Sequence, residues 1–206
     1  MQFNFSKSPM NCSYSINGSQ IHCVDELNLL GVIIRKDLKW YSNSNSLVTK
    51  CNRKFFMFAK LKSFRASRED MLRVWVSYLR PICEYAAPLW HSSISVAEST
   101  KIEKIQKRAL RIILGSEYTR YSDALETLKI PSMYQRRKTL CLKFANSILA
   151  SPKIHYLLPD FRNPDHALRR FNRTLVKEIK CDQIRYYKSA IPYLGRELNK
   201  WPKANV

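Results

Sequence analysis

The chain has 206 residues, with 36 lysines and arginines against 16 aspartates and glutamates, a formal net charge of +20. That length suits one domain or two small ones, and a hydrophobic share of 45% excludes wholesale disorder. No apolar run nears the roughly 18–20 residues of a membrane span. The opening MQFNFSKSPMNCSYS is not expected to act as a secretory signal, and the four glycines cannot build a GxGxxG or a P-loop.

The first forty residues read as β structure. Asn17-Gly18 supplies the two positive φ angles of a type I′ turn, which predicts a hairpin over 12–24 with Tyr14 opposite Ile21 and Cys12 opposite Cys23. LNLLGVIIR, from Leu27 to Arg35, reads as one further strand, apolar on both faces and so packed into something larger.

After Trp40 the apolar period becomes helical. Over 43–64 the stripe Leu47, Cys51, Phe55, Phe58 and Ala59 faces a core, with Lys50, Arg53, Lys54 and Lys60 opposite. Ser67 opens a second helix with Met71, Leu72, Trp75, Tyr78 and Leu79 inward; Pro81 is expected to kink or end it, and Pro88 to stop any continuation. Ser95 to Glu98 opens a third, with Ile102, Ile105, Ala109, Ile112 and Ile113 inward and Gly115 placed as its C-cap. A short helix over 121–128 buries Ala124, Leu125 and Leu128. A helix from Ser132 to Ala150 buries Tyr134, Cys141, Phe144 and Ile148. Beyond Ser151 the period weakens. A short helix over 167–181 is expected, and the rest, including Tyr186-Tyr187, Ile191-Pro192 and Trp201-Pro202, is expected to be extended or mobile.

The charge is grouped. Residues 50–80 hold nine basic side chains against Glu69 and Asp70. Lys101, Lys104, Lys107, Arg108 and Arg111 stand against Glu103 alone, and Arg136, Arg137, Lys138 and Lys143 against no acid. A fourth group is Arg169, Arg170, Arg173, Lys177 and Lys180. Grouped cations opposite apolar seams point to a polyanion, nucleic acid first. The competing reading is a basic helical interaction module that binds a protein partner or an anionic surface.

Catalytic patterns are missing from the sequence. The six cysteines form no CxxC and read as reduced, buried hydrophobes. The four histidines make no HExxH, and there is no GxSxG. The adjacent acid pairs, Asp25-Glu26 and Glu69-Asp70, fall in a turn and a helix start rather than in a two-metal arrangement. Trp90-His91 reads as a packed corner between helices. No metal, cofactor or small-molecule substrate is expected.

Four strings carry a family resemblance: LLGVIIRKDLKW, YLRPICEYAAPLWHS, IEKIQKRALRIILG and DALETLKIPSMYQRRKTLCLKFA. In this order, with SAIPYLGRELN near the end, the chain resembles the C-terminal part of reverse transcriptases from non-LTR (LINE-type) retrotransposons, the jockey- and CR1-like groups above all. The resemblance implies a mainly α fold: a helical thumb-like bundle preceded by a small antiparallel β remnant. It divides the chain into a palm remnant (1–40), a thumb-like domain (41–150) and a basic C-terminal extension (151–206). It also implies that the palm aspartates of such a polymerase lie upstream, since no Asp-Asp pair occurs here. The chain is therefore expected to be catalytically inert by itself and to grip the backbone of RNA, DNA or an RNA–DNA hybrid, inside the cell and without a membrane. Leu30, Gly31, Arg35 and Lys36 match the primer-grip region. Lys50, Arg53, Lys54 and Lys60, then Lys101, Lys104 and Arg108, then Arg136, Arg137 and Lys138, are the expected phosphate contacts.

Overall fold

Asn17 and Gly18 adopt φ of 49° and 78°, and the turn they make joins β1 (Tyr14–Ile16) to β2 (Ser19–Ile21). Tyr14 pairs with Ile21 in the antiparallel ladder, as the turn chemistry predicts. This computed structural model describes residues 13–160 and 176–200. Cys12, and so its expected pairing with Cys23, lies outside the described residues, as do Trp201 and Pro202.

The expected long strand over Leu27 to Arg35 is instead a second hairpin. β3 (Glu26–Leu29) pairs antiparallel with β4 (Val32–Arg35), Leu29 opposite Val32. The turn is Leu30-Gly31, at φ of 49° and 83°. Glycine reaches that region freely, whereas a leucine there meets its own carbonyl. A leucine at the first turn position hid the hairpin, because the apolar run looked unbroken. Leu30 is 84% exposed, and its carbonyl accepts a hydrogen bond from the Tyr85 hydroxyl at 2.7 Å. Leu30→Asn keeps that carbonyl and relieves the strain, so chemical denaturation should show a gain of about 1 kcal/mol.

Helix α1 (Tyr41–Ser63) buries Leu47, Cys51, Phe55 and Phe58. Ala59, expected inward, is exposed, because it lies just past the edge of that stripe. The Ser67 hydroxyl accepts from the Asp70 N–H and starts α2 (Arg68–Val74). Pro81 does not break the helical path. A π-helical turn over Trp75–Leu79 leads into α3 (Arg80–Glu84), and the Arg80 N–H bonds the Trp75 carbonyl five residues back. The wider turn places Pro81 in the first turn of α3, where a missing N–H costs nothing. It also leaves Tyr78 42% exposed rather than buried. Pro88 likewise sits in the first turn of α4 (Ala87–Trp90) and starts a helix instead of stopping one.

Helix α5 (Val96–Leu114) begins with a reciprocal capping box between Ser95 and Glu98 and ends at Gly115, φ 59°. α6 (Tyr121–Thr127) comes next, and α7 (Met133–Ala150) opens on a second capping box between Ser132 and Gln135. The buried face of α7 is Met133, Arg137, Cys141, Leu142, Ala145 and Ile148. Tyr134 and Phe144 lie outside it at 54% and 37% exposure, which corrects their expected places. After residue 160 the described chain resumes at Val176. Residues 176–181 form no helix, so that end of the expected helix over 167–181 is absent; the rest of it lies outside the described residues. The tail expected to be extended or mobile is helical in α8 (Ile184–Tyr187) and α9 (Ala190–Lys200). α9 lays Leu194 on Cys141, Ala145 and Ile148 of α7.

Two long helices, α1 and α5, lie side by side. Ser44 reaches Glu98, Asn45 reaches Lys101, and Asn52 reaches Arg108, at sequence separations of 54, 56 and 56. Near-constant separations mean that α1 and α5 run in the same direction. Their shared interior holds Phe55, Phe58, Ile102, Ile105 and Ile113 with Trp75 and Leu79 from the crossing between them. The fold is mainly α, with its small hairpins at the N-terminal end.

Candidate nucleic-acid interface

Helix α1 has no carboxylate in its 23 residues but carries Lys50, Arg53, Lys54, Lys60 and Lys62. Helix α5 adds Lys101, Lys104, Lys107, Arg108 and Arg111. Its two acids are used inside the fold. Glu98 accepts from the Ser95 N–H at 2.7 Å. Glu103 accepts from the N–H groups of Met133 and Tyr134 at 3.0 and 3.2 Å, and from the Tyr121 hydroxyl. It thereby caps the positive end of α7. Burial, and then that carboxylate, hold the Tyr121 phenol well above its ordinary range. With both acids engaged in helix caps, the cations of the pair have no carboxylate of their own helices left to meet them. Among the described residues, none of the ten cations of the two helices is ion-paired to a carboxylate.

Several of these cations are positioned by neutral partners that leave the charge intact. Lys101 Nζ lies 3.0 Å from Asn45 Oδ1, and Arg108 Nη1 lies 3.1 Å from Asn52 Oδ1 while stacking 4.5 Å above the Phe55 ring. Lys54 lies over Tyr78, and Lys107 over Tyr121. Lys62 donates to the Ile113 carbonyl at 3.0 Å, which ties the C-terminal ends of the pair together. Lys50, Arg53, Lys60 and Lys104 are exposed. The pair thus gathers seven of the expected phosphate contacts, Lys50, Arg53, Lys54, Lys60, Lys101, Lys104 and Arg108. α1 is about 34 Å long at 1.5 Å per residue.

The third expected group does not join them. Arg137 is fully buried, its guanidinium 5.7 Å from the Trp90 ring. Its Nη2 donates to Ser99 Oγ at 2.8 Å and its Nε to His91 Nδ1 at 3.4 Å, and Nη1 has no partner within the fold. An arginine on the core stripe of α7 cannot reach a phosphate. Burial weakens the hold of Arg137 on its proton. Burial, and then the nearby guanidinium, push His91 down to about 4. Trp90 and His91 do form the packed corner that was expected, inside α4 and at its end. Arg136 and Arg80 share the Glu84 carboxylate, each at 3.1 Å, and Lys138 pairs with Glu197 of α9 at 2.9 Å. These side chains fasten helices together instead of facing outward as free cations.

The primer-grip-like group is also partly neutralised. Leu30 and Gly31 form the tip of the second hairpin. Arg35 is bound by Asp37 at 3.0 Å and by Glu26, and lies over the Tyr41 ring at 4.3 Å. Lys36 pairs with Asp25 at 2.7 Å. Of the fourth basic cluster, Lys177 and Lys180 are exposed, and its three arginines lie outside the described residues.

Two residues of the outer face escape a reading by charge or by apolar stripe. Phe56 and Phe64 are 74% and 77% exposed. The available signal is their placement: Phe56 follows Arg53 by three and precedes Lys60 by four, so the ring shares a face with both cations and lies off the buried stripe.

Among the described residues no helix is long and apolar enough to cross a membrane. Comparison with protein-family models, curated proteins and solved structures gave no significant match.

Proposed function

We propose that the face formed by α1 and α5 grips a nucleic-acid duplex by its phosphates, the part a thumb takes in a LINE-type reverse transcriptase, with an RNA–DNA hybrid as the natural substrate. The observation that carries this reading is a run of ten cations on two parallel helices, several of them set by asparagines and aromatic rings, with both local acids engaged in helix caps. A phosphate backbone matches a row of fixed cations without any reading of bases, so binding is indifferent to sequence. Chemistry is not part of the proposal, because no carboxylate on this face is free to hold a metal ion.

The test is a titration of the whole chain against a fluorescein-labelled 20-base-pair blunt RNA–DNA hybrid from 50 to 200 mM salt. Displacement of four to six counterions gives a log–log slope of about −3.5 to −5.5, unchanged when the sequence is scrambled. No binding at 50 mM salt would overturn the proposal. Incorporation of nucleotides onto a recessed primer would overturn its restriction to grip.

A further inference from the structure

The outward row of α1 reads Arg53, Phe56, Lys60, Phe64, at spacings of three, four and four. These spacings keep all four side chains on one helix face. Phe64 is the C-cap residue of the helix, and Arg65 comes next at φ 60°. Both rings are about three-quarters exposed, while their neighbours Phe55 and Phe58 are buried and stack edge to face at 6.1 Å. The core is therefore complete without Phe56 and Phe64.

A phosphate-gripping face does not need exposed phenyl rings. They add nothing to phosphate contact, and exposure to water is unfavourable. Alternation of ring and cation suits another ligand, a strand whose bases are unpaired. Each base then offers a π-face to a ring, and each phosphate lies beside a cation. The two rings are eight residues apart, about 12 Å along the helix axis, so each meets a separate base. An anionic membrane would favour a broad apolar stripe, whereas here a cation stands between the rings. Paired bases are already stacked on their neighbours within a duplex and offer no free face along its length.

We infer that Phe56 and Phe64 are stacking platforms for unpaired bases, so that this face prefers nucleic acid carrying a single-stranded segment to blunt duplex. This rests on the proposed phosphate grip and names the part of the ligand the grip alone leaves unread.

The test compares the blunt 20-base-pair hybrid with the same hybrid extended by eight unpaired nucleotides, one of them 2-aminopurine. The expected result is binding of the extended hybrid at least fivefold tighter, with quenching of 2-aminopurine. Phe56→Ala with Phe64→Ala should remove both effects and leave blunt-hybrid affinity within about twofold, since stacking is worth about five- to a hundredfold per base. Phe56→Tyr with Phe64→Tyr should retain both effects. Lys60→Ala should flatten the salt slope and keep the quenching. Equal affinity of the wild-type chain for the two hybrids, or a preference that survives the double alanine variant, overturns the inference while the phosphate grip stands. Absence of binding to either hybrid overturns both.

Discussion

Reversing three charges on the outer face, Arg53→Glu, Lys60→Glu and Lys104→Glu, should lower affinity for the blunt hybrid by about a thousandfold at 100 mM salt and flatten the salt slope by about 3. Each change removes a phosphate contact and adds repulsion where the potential was positive. All three side chains are exposed, so the melting temperature should stay within a few degrees of the parent. The control is a second triple variant, Lys143→Glu, Lys153→Glu and Lys188→Glu, at exposed positions off the pair. It lowers the net charge by the same amount. If binding depends on the α1–α5 face, the control should retain most of its affinity. Equal losses in the two variants would mean that overall charge, and not this arrangement, attracts the nucleic acid.

The second large effect is on stability and its response to acid. His91 is neutral in the fold, with its pKa pushed down to about 4 by burial and by Arg137. An unfolded histidine titrates near 6.5, so below that value the unfolded chain takes up a proton the folded chain refuses. The contribution is fully present above pH 6.5 and is lost as the pH falls towards 4. The loss should be about 2 kcal/mol by pH 5 and about 3 kcal/mol below pH 4. Urea unfolding at pH 7 and pH 5 measures it, and His91→Gln should show a flatter profile over that interval. A wild-type chain equally stable at the two pH values would contradict the assignment.

Arg137 is the other half of that corner. Arg137→Ala opens a cavity beneath Trp90 and strips Ser99 and His91 of their donor, so it should cost about 3–5 kcal/mol. Arg137→Met fills the space without burying a charge that no carboxylate meets, and should cost under about 1.5 kcal/mol. Folded Arg137→Met should bind the hybrid like the parent, because the side chain lies inside the core.

Ser67, Ser95 and Ser132 made their helix starts legible in the sequence, because an N-cap hydroxyl and its partner three residues on are local chemistry. The Asn17-Gly18 hairpin was legible for the same reason. Leu30-Gly31 was not, since leucine seldom occupies a left-handed turn position and here is held by tertiary contact with Tyr85. Pro81, read as a kink or an end, lies instead within a continuing helical path, because the π turn before it moves the missing N–H into a first turn. The basic faces of α1 and α5 came from period alone. Arg137 did not, because charge argued for the surface while its position, four residues from both Met133 and Cys141, put it on the buried stripe. The packing of α9 on α7 was hidden for a simpler reason: Leu194 finds its partners some fifty residues back, where no local pattern reports them.

The parallel course of α1 and α5 also has a consequence in time. Two consecutive helices joined by a short turn run antiparallel and can close as soon as both exist. Here the partner of a residue on α1 lies 56 positions later. At about 5–20 residues per second, a ribosome needs roughly 3–11 seconds to make that stretch. Throughout that interval Leu47, Cys51, Phe55 and Phe58 have no α5 to cover them, and the helix that carries them has no acidic residue. The newborn chain thus passes through a stage at which an apolar stripe and a basic face lie on one helix that α5 does not yet cover. Dependence on chaperones during synthesis, rather than after it, is where that stage should become visible.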